Sequence, residues 1–351
     1  MMNVLRNSYS RPMALLISIV WLLSACESGT PQRALTELQG ATMGTSYIVK
    51  IVALPAELKP ERIQAEIDAM LEKINRQMST YLDDSELSQF NRNQATDWID
   101  ASQELAGVLR QAQRASALTN GAFDVTVGPL VNLWGFGPSP GNDQVPSEQD
   151  IREARNRVGY RGLQVRSSPA AIRKGRPDLY VDLSAIAKGY AVDAVAGHLQ
   201  ALQIHDYMVE IGGEIQAKGR NARDTFWRIA IEKPSSGSRS LHTVIELDNV
   251  GIATSGDYRN YFEQEGRRYS HTIDPRTGRP VTHKLASVTV ADPSTMHADV
   301  MATALMVLGP EAGYRFAEQH KLAAFFIVDS ENGFYDKATT AFRQYLASKH
   351  E

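Results

Sequence analysis

Three short segments in the last third of the chain gather most of the side chains that could do chemistry. They are Gly251 to Tyr258 (Gly-Ile-Ala-Thr-Ser-Gly-Asp-Tyr), Tyr269 to Gly278 (Tyr-Ser-His-Thr-Ile-Asp-Pro-Arg-Thr-Gly) and His297 to Thr303 (His-Ala-Asp-Val-Met-Ala-Thr). Hydroxyls, two histidines, carboxylates and glycines crowd there among apolar strand-like stretches. So many short polar groups are poor material for a core. They suit a site that holds an oxyanion and a hard metal ion, and they point to an enzyme working on a phosphate-bearing ligand.

Taken one at a time, each candidate has a plain alternative. Asp299 and Thr303 are spaced i, i+4 and share a helix face. One carboxylate and one hydroxyl are too few to cage calcium, but magnesium keeps waters and takes further oxygens from substrate phosphates. The alternative is an Asp299 that answers the helix dipole, with Thr303 bonding back to a carbonyl. Lys188 follows Asp182-Leu-Ser184 where a strand is expected to give way to a helix. With Ser184 as N-cap, the free amides of the first turn and the lysine would seat a phosphate; otherwise this is a capped helix with a solvent-facing lysine. A Walker A loop is absent.

His271 and Asp274 flank an Asp-Pro-Arg-Thr-Gly turn. The imidazole could orient or deprotonate an attacking hydroxyl, or it could simply bond its own turn. Asp124 lies among small and apolar residues in Gly121 to Pro129, where an ionised carboxylate needs a partner. Phe123, Met43 and Tyr81 read in isolation as core or surface residues. His205, His242, His283 and His320 carry no functional signal.

The elements that must position these groups follow from periodicity. Thr45 to Ala53 alternates like a strand, and Ile63, Ile67, Met70, Leu71, Ile74 and Met78 fall on one helical face. A second helix is expected from an N-cap at Ser102 to Leu118 with Gly121 at its exit, and Ser147 with Asp150 forms a capping box. Pro138 to Pro146 reads as a loop. Short strands are expected at Leu163–Arg166, Leu179–Leu183, Tyr207–Ile211, Trp227–Glu232, Thr243–Leu247 and Ser287–Ala291. Helices are expected at Ile186–Leu202, Met296–Leu308 and Glu311–His320. Tight turns such as Glu265-Gly266 join many of the strands, so the fold class is α+β with largely antiparallel sheets covered by helices.

At the other end, Arg6 and Arg11 precede the apolar run Met13 to Leu23 and then Leu23-Ser-Ala-Cys26. This is an export signal over residues 1–25, too short to span a membrane as a mature helix. The Leu-Ser-Ala-Cys ending resembles a lipobox, which makes Cys26 the lipidated first residue of the mature chain; the alternative is ordinary cleavage near Ala25. Cys26 is the only cysteine, so no internal disulfide is expected. Losing Arg6 and Arg11 and no acid moves the net charge from −3 to −5, which argues against nucleic acid as a partner. A polar tether over residues 26–34 then leads into a domain over residues 35–348.

Together these segments resemble the ApbE family of flavin transferases, lipid-anchored bacterial enzymes that bind FAD and move its FMN half onto a protein. The likeness runs from Ala41-Thr-Met-Gly-Thr-Ser-Tyr47 to the helix containing Thr303. It implies an ApbE-like fold with the FAD site between two lobes. It also implies contacts to FAD from Met43, Tyr81, Ala122, Phe123, Asp124, Asp182, Lys188 and Ile273. Magnesium would be held by the side chains of Asp299 and Thr303 and the carbonyl of Ala185. Ala185 stands where relatives carry Ser or Thr, and Ala302 where an acid can occur, so one metal ion is expected rather than two. The implied reaction is magnesium-dependent transfer of FMN from FAD to a threonine of an acceptor flavoprotein, with release of AMP. His271 is the candidate base, Asp274 its helper, and Lys188 neutralises phosphate. The implied acceptors are flavoprotein subunits of respiratory electron-transfer complexes, and the implied location is the periplasmic side of the inner membrane. Two rival readings are a non-catalytic FAD-binding lipoprotein and an FAD pyrophosphatase giving FMN and AMP.

Overall fold

Tyr47, Val49 and Ile51 face Ile211, Val209 and Tyr207 across an antiparallel ladder, and all six side chains are fully buried. Period-two apolar patterns paired in this register put one face of each strand into a core. The computed structural model describes residues 32–138, 144–234, 241–257 and 260–346. The export signal, Cys26, most of the tether, the middle of the Pro138–Pro146 loop, Tyr258 and the last residues of the expected domain lie outside the described residues.

The main sheet has eight strands: β1 (Leu35–Thr42), β2 (Thr45–Val52), β6 (Tyr207–Ile211), β7 (Glu214–Lys218), β10 (Val250–Gly256), β15 (Leu285–Asp292), β16 (Ala323–Ser330) and β17 (Gly333–Ala338), in that spatial order. Every neighbouring pair is antiparallel. Smaller pieces flank it: β3 (Ile99–Asp100) with β4 (Leu163–Ser167) and β5 (Ala170–Lys174), the pair β8 (Trp227–Glu232) and β9 (Leu241–Leu247), and the hairpins β11 (Tyr261–Gln264) with β12 (Arg267–Ser270) and β13 (Ile273–Asp274) with β14 (Arg279–Pro280).

Among the described residues the helices are α1 (Pro60–Met78), α2 (Glu86–Arg92), α3 (Gln103–Leu118), α4 (Gly128–Leu133), α5 (Glu148–Arg155), α6 (Ala187–Ala201) and α7 (Thr295–Gln319). The apolar faces of α1, α3, α6 and α7 close the largest core over one side of the sheet, and Trp227, Ile245, Leu247 and Phe342 cover the other. Because both sides are covered, β16 is a continuous apolar run: Phe326 enters the helical core while Phe325 and Ile327 enter the opposite one. A third, smaller cluster of Leu130, Trp134, Ile151, Ala154, Phe262 and Ile273 binds α4 and α5 to the two hairpins.

Most expected elements form, and the caps expected at Ser102 and Ser147 are present. Ser102 accepts from the Leu105 amide, and Ser147 with Asp150 makes the reciprocal box. Leu179–Leu183 is a correction, since it joins no sheet. The Asn91 side-chain amide takes both backbone groups of Val181, and Asp182 N–H donates to Val125, so the ladder groups are spent locally. The two expected C-terminal helices are halves of α7, broken at Gly309, whose φ is 79°. Pro310 has no N–H for the carbonyl four residues back, and His283 supplies the donor, its Nε2 lying 2.8 Å from the Met306 oxygen. A Cβ at Gly309 would sit 2.6 Å from that ring. Among the described residues no helix is long and apolar enough to cross a membrane.

Candidate active site

A cavity of about 380 Å³ opens between the helix-covered edge of β7 and β10 and the small cluster around Trp134. Tyr81, Ala122, Phe123, Asp124, Asp182, Ala185, Lys188, His271, Ile273, Asp299 and Thr303 all line it. A neighbouring hollow of about 590 Å³, lined by Met43, shares Tyr81, Ser184 and Lys188 with the first. The two make one extended cleft, with Tyr81 two-thirds exposed at the junction. Chain segments more than two hundred residues apart are thereby brought to one surface. Asp274 is the exception among the expected site residues. It does not line the cavity, and its carboxylate is engaged by the backbone and guanidinium of Arg276 at 2.8–2.9 Å. It holds the turn that carries Ile273.

The charged end of the cleft is built where α6 crosses α7. Gly189 permits the crossing: a Cβ there would lie 2.6 Å from the Thr295 oxygen and 2.9 Å from Asp299 Cβ. At that contact the Gly189 amide donates to Asp299 Oδ2 at 3.1 Å. Lys188 Nζ lies 2.7 Å from both carboxylate oxygens of Glu214. Burial alone would pull the lysine down, but the charges of Glu214 and Asp299 outweigh it and keep the ammonium protonated above its usual range. Burial and the nearby Asp299 push Glu214 up to about 8, and burial likewise raises Asp299. Two buried carboxyl groups beside one ammonium are a surplus of acid: both are pushed up because the site lacks a second cation that would hold them ionised together.

That surplus, with hard oxygen donors on the same wall, fits magnesium. Asp299, Thr303 and Ala185 border the cavity, and Ser255 Oγ lies 3.3 Å from Thr303 Oγ1. Among the described residues no three His, Cys, Asp or Glu side chains could cage an ion unaided. The ion would therefore complete its shell from water and substrate phosphate.

The turn before α6 differs from the expected helix-capping phosphate seat. The Ser184 amide and hydroxyl both go to Asp182 Oδ1 at 2.8 and 2.6 Å, so Ser184 does not cap; the helix begins at Ala187 after an uncapped Ile186. The amides of Ile186 and Ala187 go to the Leu183 carbonyl. Phosphate attraction here rests on Lys188 rather than on open amides. Asp124 is equally occupied. Its Oδ1 accepts from the amide and hydroxyl of Thr126 at 2.8 and 2.7 Å, and its Oδ2 from Tyr160 N–H at 2.9 Å. Burial pushes its pKa up and these bonds oppose the shift.

His271 enters from the opposite wall. Its Nδ1 is 2.9 Å from the Asn260 carbonyl, so that nitrogen carries the proton and Nε2 keeps its lone pair. Burial lowers its pKa, and the charges of Lys188 and Arg268 lower it further against the Asn260 bond, so the ring is neutral at pH 7. Among the described residues its Nε2 has no hydrogen-bond partner, and a neutral imidazole with a free nitrogen in a cleft is what a general base requires.

Glu214 and Asn260 line the cavity without having been singled out in the sequence, and Ser255 was marked only as part of the segment Gly251 to Tyr258. A signal for Glu214 was present: Gly212-Gly213 between two alternating stretches marks a two-residue hairpin, which sets Glu214 at the head of β7.

A profile of the ApbE family matches residues 43–326. The FAD:protein FMN transferase of Vibrio cholerae serotype O1 is 48% identical over 326 residues, covering 93% of this chain and 96% of that one. The FAD:protein FMN transferase of Escherichia coli K12 is 38% identical over 352 residues, covering 97% and 99%. Among solved structures, the flavin transferase ApbE from Vibrio cholerae superposes with a TM-score of 0.83 at 46% identity, over 90% of this chain and all of that one. The ApbE protein from Thermotoga maritima gives 0.80 at 27% identity, again over 90% of this chain and all of that one.

Proposed function

The chain belongs to the ApbE family, and on that premise we propose that it is a magnesium-dependent FAD:protein FMN transferase acting on a threonine of an acceptor flavoprotein. The observation that carries this reading is a single cavity lined at once by Lys188, His271, Asp299 and Thr303. The threonine oxygen bonds to the FMN phosphorus as the pyrophosphate bond to AMP breaks, and AMP leaves. The hydroxyl proton goes to His271 Nε2. Lys188 draws the pyrophosphate in and offsets its charge. Phe123, Tyr81 and Met43 supply apolar surface for the planar rings.

Asp299, Thr303 and the Ala185 carbonyl would hold magnesium, which when bound neutralises charge on the phosphate oxygens. The chain is further proposed to be anchored through a lipidated Cys26 on the periplasmic side of the inner membrane, where respiratory flavoprotein subunits would be its acceptors.

The test is incubation with FAD and magnesium, with and without a purified acceptor subunit. Acceptor-dependent AMP release with flavin that stays on the acceptor through denaturation supports the transferase. AMP release at an equal rate without acceptor would make the protein a pyrophosphatase, and no AMP at all a binding protein.

A further inference from the structure

Two buried carboxylates stand near Lys188, and the lysine treats them differently. Glu214 receives the ammonium on both oxygens, while Asp299 acts on it through space and makes no ion pair with it. Asp299 gives Oδ2 to the Gly189 amide, and among the described residues its other oxygen has no hydrogen-bond partner on a wall that borders the cavity.

Lysine reaches with a flexible four-carbon arm and three donors, so its direction is set by what it binds. Among the described residues, the Gly212 carbonyl at 3.5 Å is the one other partner in range besides Glu214. An ammonium that loses its partner inside a protein must find another anion or pay the cost of desolvation unaided. Here the next anion is Asp299. The Gly212-Gly213 turn fixes Glu214 in place: it packs against the lysine arm, with a Cβ at Gly212 falling 3.2 Å from Lys188 Cδ.

We propose that Glu214 is a positioning residue that holds Lys188 off Asp299, keeping one oxygen of Asp299 free for a divalent cation while the ammonium faces the substrate. This rests on the reading of Asp299 as a metal ligand. It assigns the ion pair a purpose other than stability: it prevents the site's own cation from occupying the metal's ligand.

Manganese(II), which takes the same hard oxygen ligands as magnesium, is titrated into the whole protein and free ion is read by electron paramagnetic resonance. Glu214→Gln should weaken binding tenfold or more. Lys188→Met should change it less than threefold in the wild type but restore tenfold or more in the Glu214→Gln background. Equal effects of Lys188→Met in both backgrounds mean simple additive electrostatics and overturn the positioning role. Asp299→Asn should abolish binding. If it does not, the metal reading and this inference fall together; if it does and the lysine effects are additive, only the inference falls. Should Glu214→Gln lack the near-ultraviolet circular dichroism of the folded protein, Glu214→Asp replaces it in the same cycle, one methylene too short to grip the ammonium with both oxygens.

Discussion

The two walls of the cleft are built on unequal foundations. Lys188, Glu214 and Asp299 stand on α6, β7 and α7, elements that pack directly on the eight-stranded sheet and its largest core. His271 stands just beyond the β11–β12 hairpin, which hangs on a small aromatic stack: Phe262 on Tyr269 at 5.1 Å, Tyr269 on Trp134 at 5.7 Å and Phe136 on Phe262 at 5.7 Å. Buried charges tolerate little displacement because their energy in a low-dielectric site varies steeply with distance. A base that only has to reach a hydroxyl can be carried by a lesser structure. On the proposed mechanism the same cleft divides into a wall that fixes charge and a wall that delivers a proton acceptor.

Asp299→Ala tests the first wall hardest. It deletes the proposed metal ligand and the acceptor of the Gly189 amide rather than apolar core volume, so transfer should fall by about a thousandfold, at the upper end for one lost electrostatic stabiliser, in a protein that still folds. Full turnover in this variant, or in wild type under EDTA, would remove the metal from that wall.

His271→Asn tests the second. Single-turnover transfer should drop roughly a hundredfold, the scale of a lost general base, while FAD affinity stays. Because burial holds the folded His271 below the ordinary histidine value of about 6.5, the wild-type rate should stay flat through that pH and fall only at lower pH, where protonated imidazole accepts no proton. Stability follows the same sign. Burial lowers the folded pKa, so the unfolded chain takes up the proton first and the stabilising contribution is lost as pH falls below the unfolded value. A variant with a lowered melting temperature and an intact rate would make His271 structural.

Phe262→Ala probes the foundation rather than the chemistry. It removes the middle of the aromatic stack and should cost about 3 kcal/mol of stability, with transfer lowered roughly tenfold and manganese affinity unchanged. A matching loss of manganese affinity would show that the two walls are one unit. The smallest effect belongs to Ser102→Ala at the start of α3, away from both walls: about 1 kcal/mol of stability and no change in transfer.

The sequence showed these two walls unequally. Helix faces and caps were legible because they are local: Ile63, Ile67, Leu71, Ile74 and Met78 are buried as their spacing requires. Leu179–Leu183 looked like a strand, yet its backbone partners are Asn91 and Val125, tens of residues away, which no local pattern records. Lys188, Asp299 and Thr303 stood out as chemistry-bearing types, but the partner that governs Lys188 lies twenty-six residues on, across a hairpin. Asp274 was misleading for the opposite reason: its partner Arg276 is two residues away and consumes it. Asp182 and Asp124 likewise proved to be satisfied by their own turns and neighbours. Type and spacing revealed which groups matter, while the contest between buried charges needed three dimensions.

The break at Gly309-Pro310 has a consequence for how disturbance spreads. The backbone ladder of α7 is interrupted there, and the carbonyl that faces the gap is answered by a histidine from another part of the chain. Fraying that starts at the Gln319 end therefore has no continuous run of amide bonds along which to travel to Thr303 and Asp299. In amide exchange the residues after 310 should open as a separate unit from those before it, and the proline serves the wall that carries Asp299 as a firebreak.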